Sequence, residues 1–188
     1  MKKMLNIIVV LIIFALFFMF CRRINDNAMF PTLKKGDWIL FWPFQSEIQQ
    51  GDLLLLYDPL DTDTLLIRRV VATDLDQIMI DLNHTTHING KSLEQKELDH
   101  DDIYRYIQEI SHEGTEEKHW RLSLTMNVIP KQKIISTIPK EHFFVLADNR
   151  HEHFDSRFWG AISKENVLGK IWFRVGKEDL WQNSIVFF

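Results

Sequence analysis

Short apolar runs separated by turn residues constrain the fold of this 188-residue chain most strongly. The first of these runs span residues 38–42, 53–57, 65–71 and 78–82. Turns are marked by Gly36, Gly51 and Gly90, each beside Asp or Asn. Runs of this length, with a turn about every ten residues, are typical of antiparallel β structure. We therefore predict a mainly β, antiparallel and barrel-like domain over residues 24–188.

A charged stretch interrupts this pattern before strand-like runs resume at 120–124, 133–136, 143–146 and 171–175. Within it, apolar residues fall near helical spacing at Leu98, Ile103, Tyr106, Ile107 and Ile110. Such spacing indicates an amphipathic helix. We predict a small α-containing cap insertion at about residues 91–119.

Residues 4–21 form an almost unbroken apolar run in which only Asn6 is polar. As a helix, the run just reaches across a bilayer core. A cleaved secretory signal or a lipoprotein signal ending at Cys21 needs small residues before the cut, whereas Phe18 and Phe20 are bulky. We predict an uncleaved transmembrane anchor over residues 1–23 that contacts the lipid bilayer through residues 4–21.

The charge balance excludes one class of partner. The formal net charge is -4, and the four basic residues before residue 24 leave 18 basic against 26 acidic residues in the remainder. Nucleic-acid binding needs a basic footprint, so we expect no nucleic-acid partner. The single cysteine, Cys21, excludes an internal disulfide.

The stretch from Ala147 to Gly160 is the densest polar motif in the chain, and it follows an apolar run. It contains two acid/base pairs, Asp148 with Arg150 and Asp155 with Arg157. We predict that each pair is satisfied internally and that the motif forms a structural corner.

This stretch and three earlier motifs resemble, in the same order, the type I signal peptidase (leader peptidase) family. The earlier motifs are residues 28–33 (Ala-Met-Phe-Pro-Thr-Leu), Gly51-Asp52 and residues 67–71 (Ile-Arg-Arg-Val-Val). The resemblance covers about residues 4–175. It implies fold-signature roles for Met29, Pro31, Arg69, Asp148, Asn149, Arg150, Asp155, Ser156 and Arg157.

The family resemblance also implies an activity. Members cut exported proteins just after the leader peptide, with a Ser nucleophile and a neutral Lys as general base. Their substrate lies extended in a cleft, added as a strand. The resemblance places the nucleophile position at Ala28 and the base position at Arg68.

Both positions carry residues that cannot perform these roles. The Ala28 methyl group has no lone pair, and the Arg68 guanidinium stays protonated. Asp26, on the oxyanion side, opposes a developing negative charge, and His153 replaces a family Ser. We predict a pseudoenzyme of the bacterial cell membrane, single-pass, with its C-terminal domain outside the cytoplasm. Its expected partner is an exported preprotein, a leader peptide or a pilus or secretion component.

Two other functions remain open. An active signal peptidase with a rearranged dyad would use another hydroxyl, such as Thr32, or Ser156 with His151 or His153. A structural membrane protein would use Trp38, Trp42 and Trp181 for lipid or partner contact. The pairs His84/His87 and His151/His153 lack Cys partners, so we expect neither a metal nor a cofactor.

Overall fold

A computed structural model describes residues 2–43, 47–113, 116–125, 134–150, 154–176 and 185–187 of the chain. Its helices are α1 (Lys2–Phe20) and α2 (Ser156–Trp159), and a 3-10 turn covers Lys164–Asn166. The strands up to the cap are β1 (Cys21–Arg23), β2 (Trp38–Trp42), β3 (Leu53–Asp58), β4 (Asp61–Ala72), β5 (Gln77–Ile80), β6 (Thr86–Ile88) and β7 (Lys91–Ser92). The remaining strands are β8 (Glu94–His100), β9 (Tyr104–Glu113), β10 (Glu116–Thr125), β11 (Ile134–Thr137), β12 (His142–Leu146), β13 (Ile162–Ser163), β14 (Val167–Val175) and β15 (Ile185–Phe187).

The predicted mainly β fold is confirmed, but the strands form open sheets. The largest sheet has the order β1-β2-β14-β3-β4-β12-β13, with β15 added to β14. A four-stranded sheet has the order β11-β5-β6-β7, and a three-stranded sheet, named here the cap sheet, has the order β10-β9-β8. Among the described strands, the two ends of the largest sheet do not pair, so the barrel-like prediction is wrong in this respect.

The predicted helix in the cap is also wrong, because β8, β9 and β10 form the cap sheet. Strands β9 and β10 pair without interruption from Tyr104↔Thr125 to Glu113↔Glu116. The residues of β9 that turn inward are Ile107, Glu109 and Ser111, which alternate as a strand requires. Two of these three buried residues are polar, so the alternation of buried and exposed positions does not appear as an alternation of apolar and polar residues. The apolar residues at helical spacing were therefore the stronger pattern in the sequence, and they indicated a helix.

Helix α1 covers the apolar N-terminal run. Phe20, at its end, packs against Phe41 and Trp42, with ring centroids 5.8 and 6.2 Å away. Across the described residues, no helix combines the length and hydropathy required for a membrane span. The anchor predicted from the sequence is therefore not confirmed.

The core of the largest sheet fixes the segment that carries the first family-like motif. Met29 and Leu33 are buried with Ile39, Phe41, Leu53, Leu55 and Ile171 from neighbouring strands. Burying side chains of this size contributes roughly 1.5–3 kcal/mol each. The motif at residues 28–33 is thus held rigidly against β2 and β3.

Candidate functional site

A groove of about 430 Å³ lies between the segment before Ala28 and the first half of β4. One wall contains residues 22–26 and Met29, and the other contains residues 63–67 and Leu55. Both walls adjoin positions selected from the sequence, since residue 28 lies between Asp26 and Met29 of the first wall and residue 68 follows Ile67 of the second.

The wall formed by β4 has an unpaired edge. Residues 65–69 and Asp61 of β4 pair with β3, whereas β12 pairs with β4 only at residues 69–72. In the described part of the chain, no strand pairs with the second edge of residues 61–68. A strand edge that no other strand covers can accept an extended peptide as an added strand.

Ala28 is buried, and both of its backbone polar groups are engaged. Its N–H donates to Asp26 Oδ1 at 2.9 Å, and its carbonyl accepts from the Asn149 N–H at 2.9 Å. The charge of Asp26 predicts that it opposes a developing negative charge at this position. In addition, the Ala28 N–H already donates its hydrogen bond to the Asp26 carboxylate, so this N–H is not available to an incoming oxyanion.

Arg68 is also buried, with 3% of its surface exposed. Its Nε and Nη2 donate to the Phe154 carbonyl at 2.9 and 2.7 Å, and its Nη1 donates to the Ile67 carbonyl at 2.6 Å. Burial lowers the pKa of Arg68, while the carboxylates of Asp155, Asp26 and Asp58 act in the opposite direction. A guanidinium has so high an ordinary pKa that Arg68 remains a cation and cannot accept a proton.

The next residue, Arg69, forms a buried ion pair with Asp148. Arg69 Nε and Nη2 donate to the two Asp148 oxygens at 2.9 and 2.7 Å, and Nη1 donates to the Gly51 carbonyl at 2.7 Å. The Thr32 hydroxyl donates to Asp148 Oδ2 at 2.5 Å. This cluster joins all four of the family-like motifs, and the predicted pairing of Asp148 with Arg150 is wrong.

Arg150 instead pairs with Glu109, a buried residue of the cap sheet that the sequence analysis missed. Arg150 Nη2 and Trp120 Nε1 both donate to Glu109 Oε2 at 2.9 Å, and Gln95 donates to Oε1 at 3.1 Å. The signal in the sequence that could have identified Glu109 was its position between Ile107 and Ile110, in a segment of strand length. Glu109 connects the cap sheet to the motif at residues 147–160.

We expect Glu109→Gln to lower the free energy of unfolding by about 2–4 kcal/mol, because Arg150 then stays buried without a carboxylate. Urea unfolding measures the change. The matched control is Glu117→Gln on the same sheet, whose side chain is 58% exposed. We expect the control to change stability by less than about 0.5 kcal/mol. Equal effects of the two variants would contradict a buried ion pair at Glu109.

The predicted pair of Asp155 and Arg157 is confirmed. Arg157 Nε and Nη2 donate to Asp155 Oδ1 and Oδ2 at 2.8 and 2.6 Å. Asp155 Oδ2 also accepts from the Ala147 N–H at 3.0 Å. Ser156 is buried, and its hydroxyl oxygen accepts from the Val145 N–H at 2.9 Å. These contacts hold the motif against β12, in keeping with the predicted structural corner.

Hydroxyl groups near Ala28 are already committed to structural bonds. Thr32 donates to Asp148, Ser123 donates to the Phe30 carbonyl at 3.2 Å, and Ser156 accepts from β12. His151 and His153 lie outside the described residues, as does Trp181. Over the described ranges, no group of three or more His, Cys, Asp or Glu side chains is placed to hold a metal ion.

Comparisons with known proteins give one family result. A family model described as signal peptidase, peptidase S26, matches residues 1–176. The signal peptidase I of Buchnera aphidicola subsp. Schizaphis graminum is 27% identical over 222 residues, covering 87% of this chain and 71% of that protein. The signal peptidase IB of Staphylococcus aureus strain Mu50 is 27% identical over 169 residues, covering 88% and 82%.

A structural comparison finds the crystal structure of a signal peptidase I from Enterococcus faecalis V583. The match has a TM-score of 0.45 and 20% sequence identity. It covers 66% of this chain and 97% of that one.

Proposed function

Because this chain belongs to the signal peptidase family, peptidase S26, we propose that its groove binds the leader peptides of exported proteins without cutting them. Ala28 is the observation that carries this proposal. Its methyl group lies where the family resemblance places the nucleophile, and its N–H is bound by Asp26. Without a nucleophile, an amide bond held beside residue 28 cannot be attacked.

The geometry of the groove supports binding of an extended peptide. Residues 63–67 line the groove and belong to the half of β4 whose second edge is unpaired in the described structure. Backbone hydrogen bonds from this edge recognise any extended chain, whatever its side chains. Leu65, Leu66 and Ile67 add apolar surface for the side chains of a leader peptide.

Arg68 supports the non-cutting role independently of Ala28. A Lys base needs a neutral amine, whereas the Arg68 guanidinium is cationic and donates hydrogen bonds to two backbone carbonyls. Arg68 therefore holds the Phe154 backbone against β4. A structural role of this kind replaces the proton transfer that a base would perform.

A second candidate function is an active signal peptidase with a rearranged dyad, and the relatives favour it. They are named signal peptidase I or IB, and the names fit an enzyme better than a non-cutting helper. An enzyme of this kind needs a hydroxyl other than residue 28. The described hydroxyls nearest in the network, Thr32, Ser123 and Ser156, are engaged in hydrogen bonds within the fold.

One experiment separates the two functions. The full chain in detergent is mixed with a preprotein bearing a leader peptide, and both binding and appearance of the mature product are measured. We expect saturable binding with no product above the rate of the preprotein alone. Product formation above that rate would establish the active candidate and end the non-cutting proposal.

A groove-filling variant tests where the preprotein binds. We expect Thr64→Trp, on the groove wall, to weaken binding at least about tenfold because the indole occupies space needed by the peptide. The matched control is Ile135→Trp on β11, outside the groove lining, where the side chain is 71% exposed. Equal binding by both variants would place the peptide elsewhere.

A further inference from the structure

The buried guanidinium of Arg68 has hydrogen bonds, but none of the carboxylates in the described ranges forms a close ion pair with it. Its three bonds go to the carbonyl oxygens of Phe154 and Ile67. Within the described part of the chain, no carboxylate lies within 4.0 Å of it, although both neighbouring clusters contain close ion pairs. Burying a cation without a close anion is costly, so an anionic ligand at this point would be stabilising.

Arg68 also keeps donors for such a ligand. A guanidinium has five N–H groups, and the three described bonds use one at Nε and one at each Nη atom. One N–H therefore remains on each Nη atom, with no acceptor within hydrogen-bond distance among the described residues. Two adjacent N–H groups match the two oxygens of a carboxylate.

The position of Arg68 connects this anion site to the groove. Ile67, whose carbonyl accepts from Arg68, lines one wall, and Asp26 on the other wall acts electrostatically on the same guanidinium. Ala28, which lies between Asp26 and Met29 of that wall in the sequence, carries only a methyl group. Ala28 and Arg68 do not line the groove themselves, but each is a direct sequence neighbour of a lining residue, Met29 and Ile67, so both lie close to a peptide bound there.

From this arrangement we infer that the groove prefers a leader peptide that has already been cut, and that Arg68 binds its free C-terminal carboxylate. The inference rests on the proposed non-cutting function and names its ligand. A separate endopeptidase must supply this ligand, because only hydrolysis of the preprotein creates a carboxylate at that point. Charge-assisted bonds to the two oxygens would distinguish the cut peptide from the intact chain.

Asp26 is the unfavourable element of this site, because its carboxylate repels an anionic ligand. Its side chain is exposed, which weakens the repulsion by solvent screening. One of its oxygens is also engaged by the Ala28 N–H. Removing the charge with Asp26→Asn should therefore strengthen binding of a peptide carboxylate, by about threefold at low salt.

The test compares three synthetic peptides on the full chain: a leader ending in a free carboxylate, the same leader ending in an amide, and the leader extended by five residues. We expect the free acid to bind about tenfold or more tightly than the other two. Arg68→Gln should remove this preference while binding of the amide remains. Arg68→Lys should keep part of it, because an ammonium retains the charge but loses the paired donors.

The matched control is Arg121→Gln, which makes the same change at an exposed side chain of the cap sheet. It should leave the preference intact, and thermal unfolding checks that each variant is folded. Equal affinity for acid and amide, or a preference that survives Arg68→Gln, would overturn the carboxylate site while leaving the proposed function standing. Cleavage of the extended peptide, or no binding of any peptide, would overturn the proposed function itself.

Discussion

Replacing Ala28 by Ser and Arg68 by Lys in the same chain should raise leader-peptide cleavage well above that of the parent, which under the proposed function cuts nothing. The double change supplies a hydroxyl and an amine at the two positions that the family resemblance assigns to nucleophile and base. Loss of such a pair typically costs about 10⁶ in rate. Because the surroundings are not adapted to the new groups, we expect recovery of about 10³ over the blank, measured as mature product from a preprotein.

The two single variants are the controls for this gain. Ala28→Ser alone has a hydroxyl but no base, and Arg68→Lys alone has an amine but no nucleophile, so neither should exceed the parent rate. Adding Asp26→Ser to the double variant should raise the rate a further 10–100-fold, because the Ala28 amide is then released from a carboxylate. Cleavage by the parent equal to that of the double variant would show that another dyad operates.

The double variant also changes the structural role of Arg68. A Lys at this position cannot reproduce the three guanidinium bonds to Phe154 and Ile67, so the loop that follows residue 153 loses part of its support. We attribute to this the expected shortfall from full activity. Arg68 thus supports the fold at the position where the family resemblance places the general base.

Local sequence signals were sufficient for most strands of the largest sheet. The apolar run at 38–42 coincides with β2, and the run at 143–146 falls within β12. Such runs can be recognised as strands because several successive residues are apolar, and the turns on either side of β2 are marked by Gly36 and Gly51, each with a positive φ. The prediction for the cap was wrong because its strands lack such an apolar signal: Glu109 and Ser111 occupy buried positions that normally hold apolar side chains.

Ion-pair partners were the least predictable part of the candidate site. Asp148 and Arg150 are close in sequence, yet they bond to Arg69 and Glu109, which are 79 and 41 positions away. These pairings depend on how sheets pack, which a sequence window does not contain. By contrast, Asp155 and Arg157 meet as expected because Asp155 caps the short helix α2 in which Arg157 lies.

The same distinction applies to the residues around Ala28. The family resemblance identifies residues 26, 28 and 68 as a group. The expected repulsion between Asp26 and a developing negative charge follows from the charge of Asp26 alone. The hydrogen bond from the Ala28 N–H to Asp26 required the backbone conformation of this segment. The binding of the Phe154 carbonyl by Arg68 likewise depends on a loop 86 positions away in sequence.

Asp148→Ala should produce the largest loss of stability of any single substitution considered for this chain. Asp148 is fully buried and accepts hydrogen bonds from Arg69 and Thr32, so its removal leaves the Arg69 guanidinium buried without a counterion. Breaking a buried pair in this way typically costs 3–5 kcal/mol. Chemical unfolding of the full chain in detergent, followed by tryptophan fluorescence, measures the change, and Asp102→Ala at an exposed position is the matched control.

A double variant determines how much of the stability lost in Asp148→Ala comes from leaving the Arg69 guanidinium buried without a counterion. Replacing Arg69 by Met in the Asp148→Ala background removes the buried charge and retains much of the volume. The double variant should therefore be about 1–2 kcal/mol more stable than the sum of the single effects predicts. Strict additivity would mean that Arg69 and Asp148 contribute through packing rather than charge. In that case the Arg69–Asp148 pair would not be what holds residues 32, 51 and 69 together.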